Sequence, residues 1–543
     1  MANQFKRKGR WLCAGLLLIM FIVGLAVTGD YGIPTDEGQE IDILLANMRE
    51  YLEYFFPADS ALMYALDEAR IVSISRNIEM DHGQSAYYGM FPLLFAKYGI
   101  GLEISNHQLS QLYHLYTYFV CFSAVICMYW LGKELFVDER VAILGAVLLF
   151  VSPRFFGEMH YNNKDLVLLC LLVDTCCVAV RATRRKKLSD VLLFGLTAAL
   201  VSNTKIVGLF FFGMMGLAYI VYVSLKKQWN RKSVVRMLTA ILSFAFFYVL
   251  LTPAMWPDPS QYFLHLLSNA FQFSRWHGQI LFEGAIFDPV AGELPRRYLI
   301  KLIYLTTPLF ILGLAAVGVF ELLHSFCGKG KILALPERVL FTAACLCALV
   351  PLLVAVATGS LVYNGWRHFY FSYFGVILLA ALGVALLLGW KPKLAGICLG
   401  ALIAANAVGL ALEHPNQYAY YNVLVSREGQ LGYETDYWGL STREALETIL
   451  AQDEREQINV SWGEDCTRLC MICAYSRMKN SEANSLWLEP DQSKADYILL
   501  NVTKGQEYGY QISEDFSLVA TIESYGLPLT EIYQRSNEKG ETP

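Results

Sequence analysis

Runs of about 20 apolar residues recur along this chain, and that is the length a helix needs to cross a hydrocarbon core about 30 Å thick. About eleven such runs are read, at 11–28, 110–132, 139–153, 166–181, 189–203, 206–225, 235–253, 299–323, 338–358, 369–390 and 394–412. Lipid offers no partners to backbone N–H and C=O groups, so these runs must close their own hydrogen bonds as helices. Composition agrees: 55% of the 543 residues are hydrophobic and 17% charged, against about 25% charged in ordinary globular domains. A net charge of -5 excludes a nucleic-acid binder, which needs a basic face to displace counterions from phosphate. The expected fold class is an α-helical polytopic membrane protein with about eleven transmembrane helices.

Basic residues in short loops set the orientation. Lys6/Arg7/Lys8/Arg10, Lys133/Arg140, Arg184 to Lys187, Lys226 to Lys232, Lys329/Lys331 and Lys391/Lys393 fall on alternate connections, which predicts a cytoplasmic N-terminus. The first run is expected to be retained as a span rather than cleaved as a signal, because it is long and further spans follow. The other side then holds an outward loop at 29–109, the turn after residue 153, about residues 254–298, and everything after Leu412. Two parts are expected: a membrane region over 1–412 and an exterior C-terminal α/β domain over 413–543. Within the outward loop, Glu40–Phe56 and Ala86–Leu102 read as helices lying in the membrane interface. Most of the 13 Cys lie in apolar runs and read as small buried hydrophobes. Cys466, Cys470 and Cys473 have a cluster-like spacing, yet their outward setting favours a disulfide or plain core residues.

Function belongs to the outward loops. Asp36 and Glu37 stand a few residues after the first span, where adjacent carboxylates can divide general-base work from the holding of a partner cation. They also suit the cap of a helix starting near Ile41, because acids complement the dipole of a first turn; both readings stand. Arg154, His160, Tyr161 and Lys164, then Lys205, then Arg275, Trp276 and His277, then Trp366, Arg367 and His368 gather on the same side. They either snorkel along helix ends or hold a phosphate, for which Arg offers a planar fork of donors. Asp174 is the clearest ionisable residue within a span. With it, a transporter or lipid flippase is the alternative function, although most ionisable residues sit at one membrane face instead of stepping through the spans.

The motifs Pro34-Thr-Asp36-Glu37-Gly38, Ser152-Pro-Arg154 through Asn163-Lys164-Asp165, Leu294-Pro-Arg-Arg-Tyr298, Asn364-Gly-Trp-Arg367-His-Phe-Tyr370, His414-Pro-Asn-Gln417 and Asp436-Tyr-Trp-Gly439, in this order, resemble polytopic glycosyltransferases of the GT-C superfamily. The protein O-mannosyltransferases and the lipid A aminoarabinose transferases are the members concerned. The resemblance implies a polyprenyl-phosphate or dolichyl-phosphate sugar donor and a protein, glycan or glycolipid acceptor, with inversion at C1 in a bacterial plasma membrane. By the same resemblance Asp36 is the general base and Glu37 its helper or substitute. Arg367, Lys164, Arg154 and Arg275 meet the leaving phosphate, and His82, His160, Tyr161, Trp366 and His368 are candidates for the acceptor or sugar pocket. No metal or other cofactor is expected, because Arg and Lys can meet a monophosphate leaving group.

Overall fold

The computed structural model describes residues 2–57, 59–68, 83–271, 278–330 and 332–536. Nine helices among the described residues are long and apolar enough to cross a membrane, so the chain is an integral multi-pass protein. The framework runs α1 (Ala2–Val27), α2 (Glu37–Leu52), α3 (Asn106–Leu135), α4 (Glu139–Phe150), α5 (Asp165–Arg185), α6 (Leu188–Thr204), α7 (Val207–Leu225), α8 (Arg231–Leu251), α9 (Tyr298–Leu305), α10 (Leu309–Phe326), α11 (Leu335–Thr358), α12 (Tyr373–Trp390) and α13 (Pro392–Leu412).

All the apolar runs read from the sequence are helical, with two differences of length. Helices α4 and α6 have 12 and 17 residues, and at 1.5 Å per residue α4 rises only about 18 Å. The run at 299–323 is broken into α9 and α10. Pro308 has no N–H to give and keeps the preceding residue out of the helical region, so the chain turns extended there. Thr306 and Thr307 fold their hydroxyls back onto the Leu302 and Ile303 carbonyls, at 2.7 and 2.6 Å. Elsewhere polar caps place the helix starts, as with the reciprocal Ser105/Gln108 box before α3 and Asn230/Ser233 before α8.

Helices α5 and α12 are the most enclosed, whereas α8 and α13 turn most of their surface outward. Small residues permit the tightest crossing. A side chain at Gly318 of α10 would meet the Leu379 carbonyl of α12 at 1.8 Å, and one at Gly383 the Leu314 carbonyl at 2.1 Å, an approach that only glycine allows.

Beyond α13 the chain leaves the bundle and builds a small α/β layer, after a short hairpin of β1 (Ile280–Phe282) and β2 (Ala285–Phe287) earlier in the chain. Its elements are α14 (Thr442–Gln452), β3 (Ile458–Trp462), α15 (Asp465–Ser476), β4 (Leu486–Leu488), β5 (Tyr497–Asn501), α16 (Val502–Tyr508), β6 (Phe516–Ser524) and β7 (Leu527–Arg535). The sheet order is β4-β3-β5-β7-β6, with β3 parallel to β4 and β5, and β7 antiparallel to β5 and β6. Ile458, Val460, Leu499 and Ile532 pack with Leu446, Ile449 and Met471. Cys466, Cys470 and Cys473 lie along one helix, α15, as free thiols.

Candidate active site

At one end of the bundle the extended chain after α1 delivers Asp36 to the start of α2. Asp36 occupies the N-cap position but makes no side-chain capping bond. Its Oδ2 instead accepts from Arg367 Nη1 at 2.6 Å and from the Trp438 indole N–H at 3.3 Å. The Asp36 side chain is 46% exposed and that of Arg367 10%, so a substrate can reach the carboxylate while the guanidinium stays enclosed. Burial pushes the Asp36 carboxyl up. The charge and hydrogen bond of Arg367, helped by Lys164, outweigh that and hold it below the ordinary carboxylate range.

Glu37, one residue on, faces the other way. Its side chain is 1% exposed. It accepts from Ser110 Oγ at 2.9 Å, pairs with Arg477 Nε at 3.1 Å and meets His114 Nε2 at 2.7 Å. Burial raises its carboxyl, and His114 and then Arg477 bring it below its usual value.

Two further ion pairs flank Asp36. Lys164 Nζ donates to Glu40 Oε1 at 2.8 Å, and Lys205 Nζ to Asp165 Oδ1 at 2.5 Å. Arg367, Lys164 and Lys205 thus each face one carboxylate, and the cluster is electrically balanced. Arg367 comes from the turn before α12, where Gly365 at φ 66° adopts a conformation that favours glycine. Aromatic rings enclose its guanidinium, which lies 5.1 Å from the Trp438 ring, 5.4 Å from Tyr363 and 5.9 Å from Tyr437.

The segment Asp436–Ser441 carries Trp438 into the site. Asp436 pins it by accepting from the Leu440 and Ser441 N–H groups, both at 2.9 Å, and from Ser441 Oγ at 2.6 Å. Thr35 N–H donates to the Trp438 carbonyl at 3.2 Å. Any side chain at Gly32 would meet the Leu440 carbonyl at 1.9 Å, so the first loop and this segment lie backbone against backbone.

The remaining sequence candidates divide. His368 packs against Tyr363 beside Arg367, with ring centroids 4.3 Å apart and the rings tilted by 53°. Arg154 is buried 5.7 Å from the Tyr421 ring, in a second layer behind Tyr437 with Glu158 and Tyr370. Trp366 donates to Thr306 Oγ1 at 2.9 Å. His160 is enclosed between Tyr31 and Tyr118, with near-parallel rings at 4.3 and 5.3 Å, and Tyr161 is buried edge-on to Trp438 at 5.9 Å. His82 and Arg275, like Trp276 and His277, lie outside the described residues. Asp174, within α5, accepts from Ser123 Oγ of the adjacent α3 at 2.7 Å.

Trp438, Glu40 and Asp165 join the cluster although none was a sequence candidate for the site, and Lys205, one of the outward cations read from the sequence, joins with them. Asp165 and Trp438 stand inside motifs noted above, and Lys205 is a cation at the end of an apolar run. Nothing in the local sequence marks Glu40.

Residues 92–256 match the model of the dolichyl-phosphate-mannose-protein mannosyltransferase family. No curated protein matches the chain. Among solved structures, ArnT from Cupriavidus metallidurans in the apo state is similar at 13% identity, covering 98% of this chain and 98% of that one with a TM-score of 0.44. The arabinofuranosyltransferase AftD from Mycobacteria is similar at 12% identity, covering 96% of this chain and 41% of that one with a TM-score of 0.38. Over residues 92–256 the chain carries the sequence pattern of that mannosyltransferase family.

Proposed function

We propose, proceeding from that pattern, that this chain moves a sugar from a polyprenyl-phosphate donor to an acceptor hydroxyl, with inversion at C1 and Asp36 as general base. The observation that carries the reading is the Asp36–Arg367 pair: a half-open carboxylate 2.6 Å from an enclosed guanidinium, flanked by Lys164 and Lys205. The acceptor oxygen attacks C1 from the face opposite the phosphate, and its proton passes to Asp36. The C1–O bond to phosphate breaks with its electron pair on the phosphate oxygen, and lipid monophosphate leaves. Charge grows on that oxygen in the transition state, where preorganised cations act most strongly.

Each cation already faces a carboxylate, so the donor phosphate takes Arg367 in exchange with Asp36. That exchange removes the main influence lowering the Asp36 carboxyl and makes it a better base once the donor is seated. Glu37 takes the role of anchor: buried and bonded by three groups, it ties α2 and α3 to Arg477 of the C-terminal domain. The basic-loop pattern supports an outer or lumenal setting for this end of the bundle.

The test is sugar release from a panel of radiolabelled polyprenyl-phosphate sugars by purified protein with crude acceptor membranes, comparing wild type with Asp36→Asn. Transfer by wild type and a loss of about 10²–10⁴-fold in the variant is the expected result for removal of a general base. Wild-type turnover in Asp36→Asn refutes the assignment of the base. Folded wild type that turns over no donor refutes glycosyl transfer and leaves a flux measurement on Asp174 as the next step.

A further inference from the structure

If the donor phosphate takes Arg367, Asp36 loses its closest partner at the moment it must be aimed at the acceptor. One side chain touches both groups. The Trp438 N–H donates to the same Asp36 oxygen that accepts from Arg367, and its ring lies 5.1 Å from the guanidinium. We propose that Trp438 is a positioning residue of the active site, holding Asp36 through its N–H and Arg367 through its ring face, so that the base stays aimed while Arg367 serves the phosphate. The inference rests on the glycosyl-transfer reading above.

The indole is itself fixed. It is buried edge-on to Tyr161, on a segment pinned at one end by Asp436 and turned by Gly439 at φ 69°. Its own carbonyl accepts from Thr35, the residue before Asp36. Trp438 and the Asp36 turn are therefore bonded both through backbone and through side chain, and a shift of one carries the other.

The chemistry of the two donors differs in a way that suits the exchange. A guanidinium holds a carboxylate by charge and weakens it as a base, whereas an indole N–H is neutral and fixes its direction with a smaller loss of basicity. The ring face also serves Arg367 in either state, because attraction to the π cloud places little constraint on where the N–H groups point. Because Trp438 lies beyond the last span, the segment leading into the C-terminal domain completes the site.

Trp438→Phe keeps a ring and removes the N–H, and Trp438→Leu removes both. Each is measured for transfer from the lipid-phosphate sugar that wild type uses, and for binding of farnesyl phosphate to purified protein in detergent. Trp438→Phe is expected to lower kcat by about 10–100-fold, the effect of one hydrogen bond to a charged group. Its KM for donor and Kd for farnesyl phosphate stay within about twofold, since the ring face remains. The acidic limb of kcat/KM moves to higher pH, because a carboxylate that loses a donor is easier to protonate.

Trp438→Leu is expected to weaken farnesyl phosphate binding by a further factor of about 3–10, the loss of a cation–π contact. Trp438→His, which returns a ring N–H, recovers part of kcat and serves as the second variant if Trp438→Phe does not fold. Wild-type kcat in a folded Trp438→Phe protein overturns the proposal. So does an equal loss of binding in the Phe and Leu variants with an unmoved acidic limb, the pattern of a purely packing residue. Failure of wild type to transfer from any lipid-phosphate sugar instead overturns the reading beneath it.

Discussion

Glu37→Gln is expected to loosen the C-terminal domain from the bundle, an effect opposite in kind to that of Asp36→Asn next door. The Glu37 carboxylate balances Arg477, whose side chain is only 6% exposed. Removing one member of a buried pair costs about 3–5 kcal/mol, because the other is left uncompensated. Glutamine keeps one acceptor oxygen and recovers about 1 kcal/mol of hydrogen bonding, which leaves a net loss of about 2–4 kcal/mol. A domain of about 120 residues unfolds with an entropy of about 0.25 kcal/mol/K, so that loss lowers its melting temperature by about 8–16 °C. The assay is tryptic cleavage at Arg427, the first Lys or Arg beyond α13, as a function of temperature, in detergent, with an affinity tag at the C-terminus to follow the released domain.

The pH dependence has a definite sign. The folded Glu37 carboxyl lies below its ordinary value, so its stabilisation is fully present above the unfolded value of about 4.3. It is lost as pH falls from there through the folded value, and the Gln variant lacks this acid dependence. A melting temperature within about 2 °C of wild type, combined with activity as low as that of Asp36→Asn, would refute the reasoning and make Glu37 a reacting group.

Two further outcomes are expected. Arg367→Lys keeps the charge but loses the planar fork and its aromatic enclosure, and kcat/KM for the lipid-phosphate donor falls about 10–100-fold while KM for the acceptor stays within twofold; steady-state kinetics with each substrate varied checks this, and equal effects on both substrates would contradict it. Glu507 is buried with Lys504 and Glu434, and burial pushes its carboxyl up to about 8. A raised carboxyl makes stability that is present at acid pH decline as pH rises from about 4.3 through 8. Glu507→Gln should therefore flatten the fall in melting temperature between pH 5 and pH 8.5, and parallel profiles would count against it.

What was legible in the sequence was whatever is decided within one element. Apolar length fixed the spans and capping residues their starts, because hydropathy and hydrogen-bond closure act over a few residues. The polar tail was readable as helix and strand for the same reason, and the acidic turn beside the first span stood out against an apolar background. Pro308 was readable in principle, although the continuous apolar run at 299–323 masked the break.

Tertiary structure alone separated Asp36 from Glu37. Arg367 is 331 positions from Asp36 and Trp438 is 402, while Glu37 takes His114 from α3, 77 positions on, and Arg477 from the C-terminal domain. Which of two adjacent carboxylates opens to a substrate depends on the direction each leaves the backbone and on what packs there, and spacing along the chain carries neither. The same holds for His160, whose ring was free to point into a pocket until Tyr31 and Tyr118 closed over it, and for Glu40, which became part of the site only when Lys164 was packed against it.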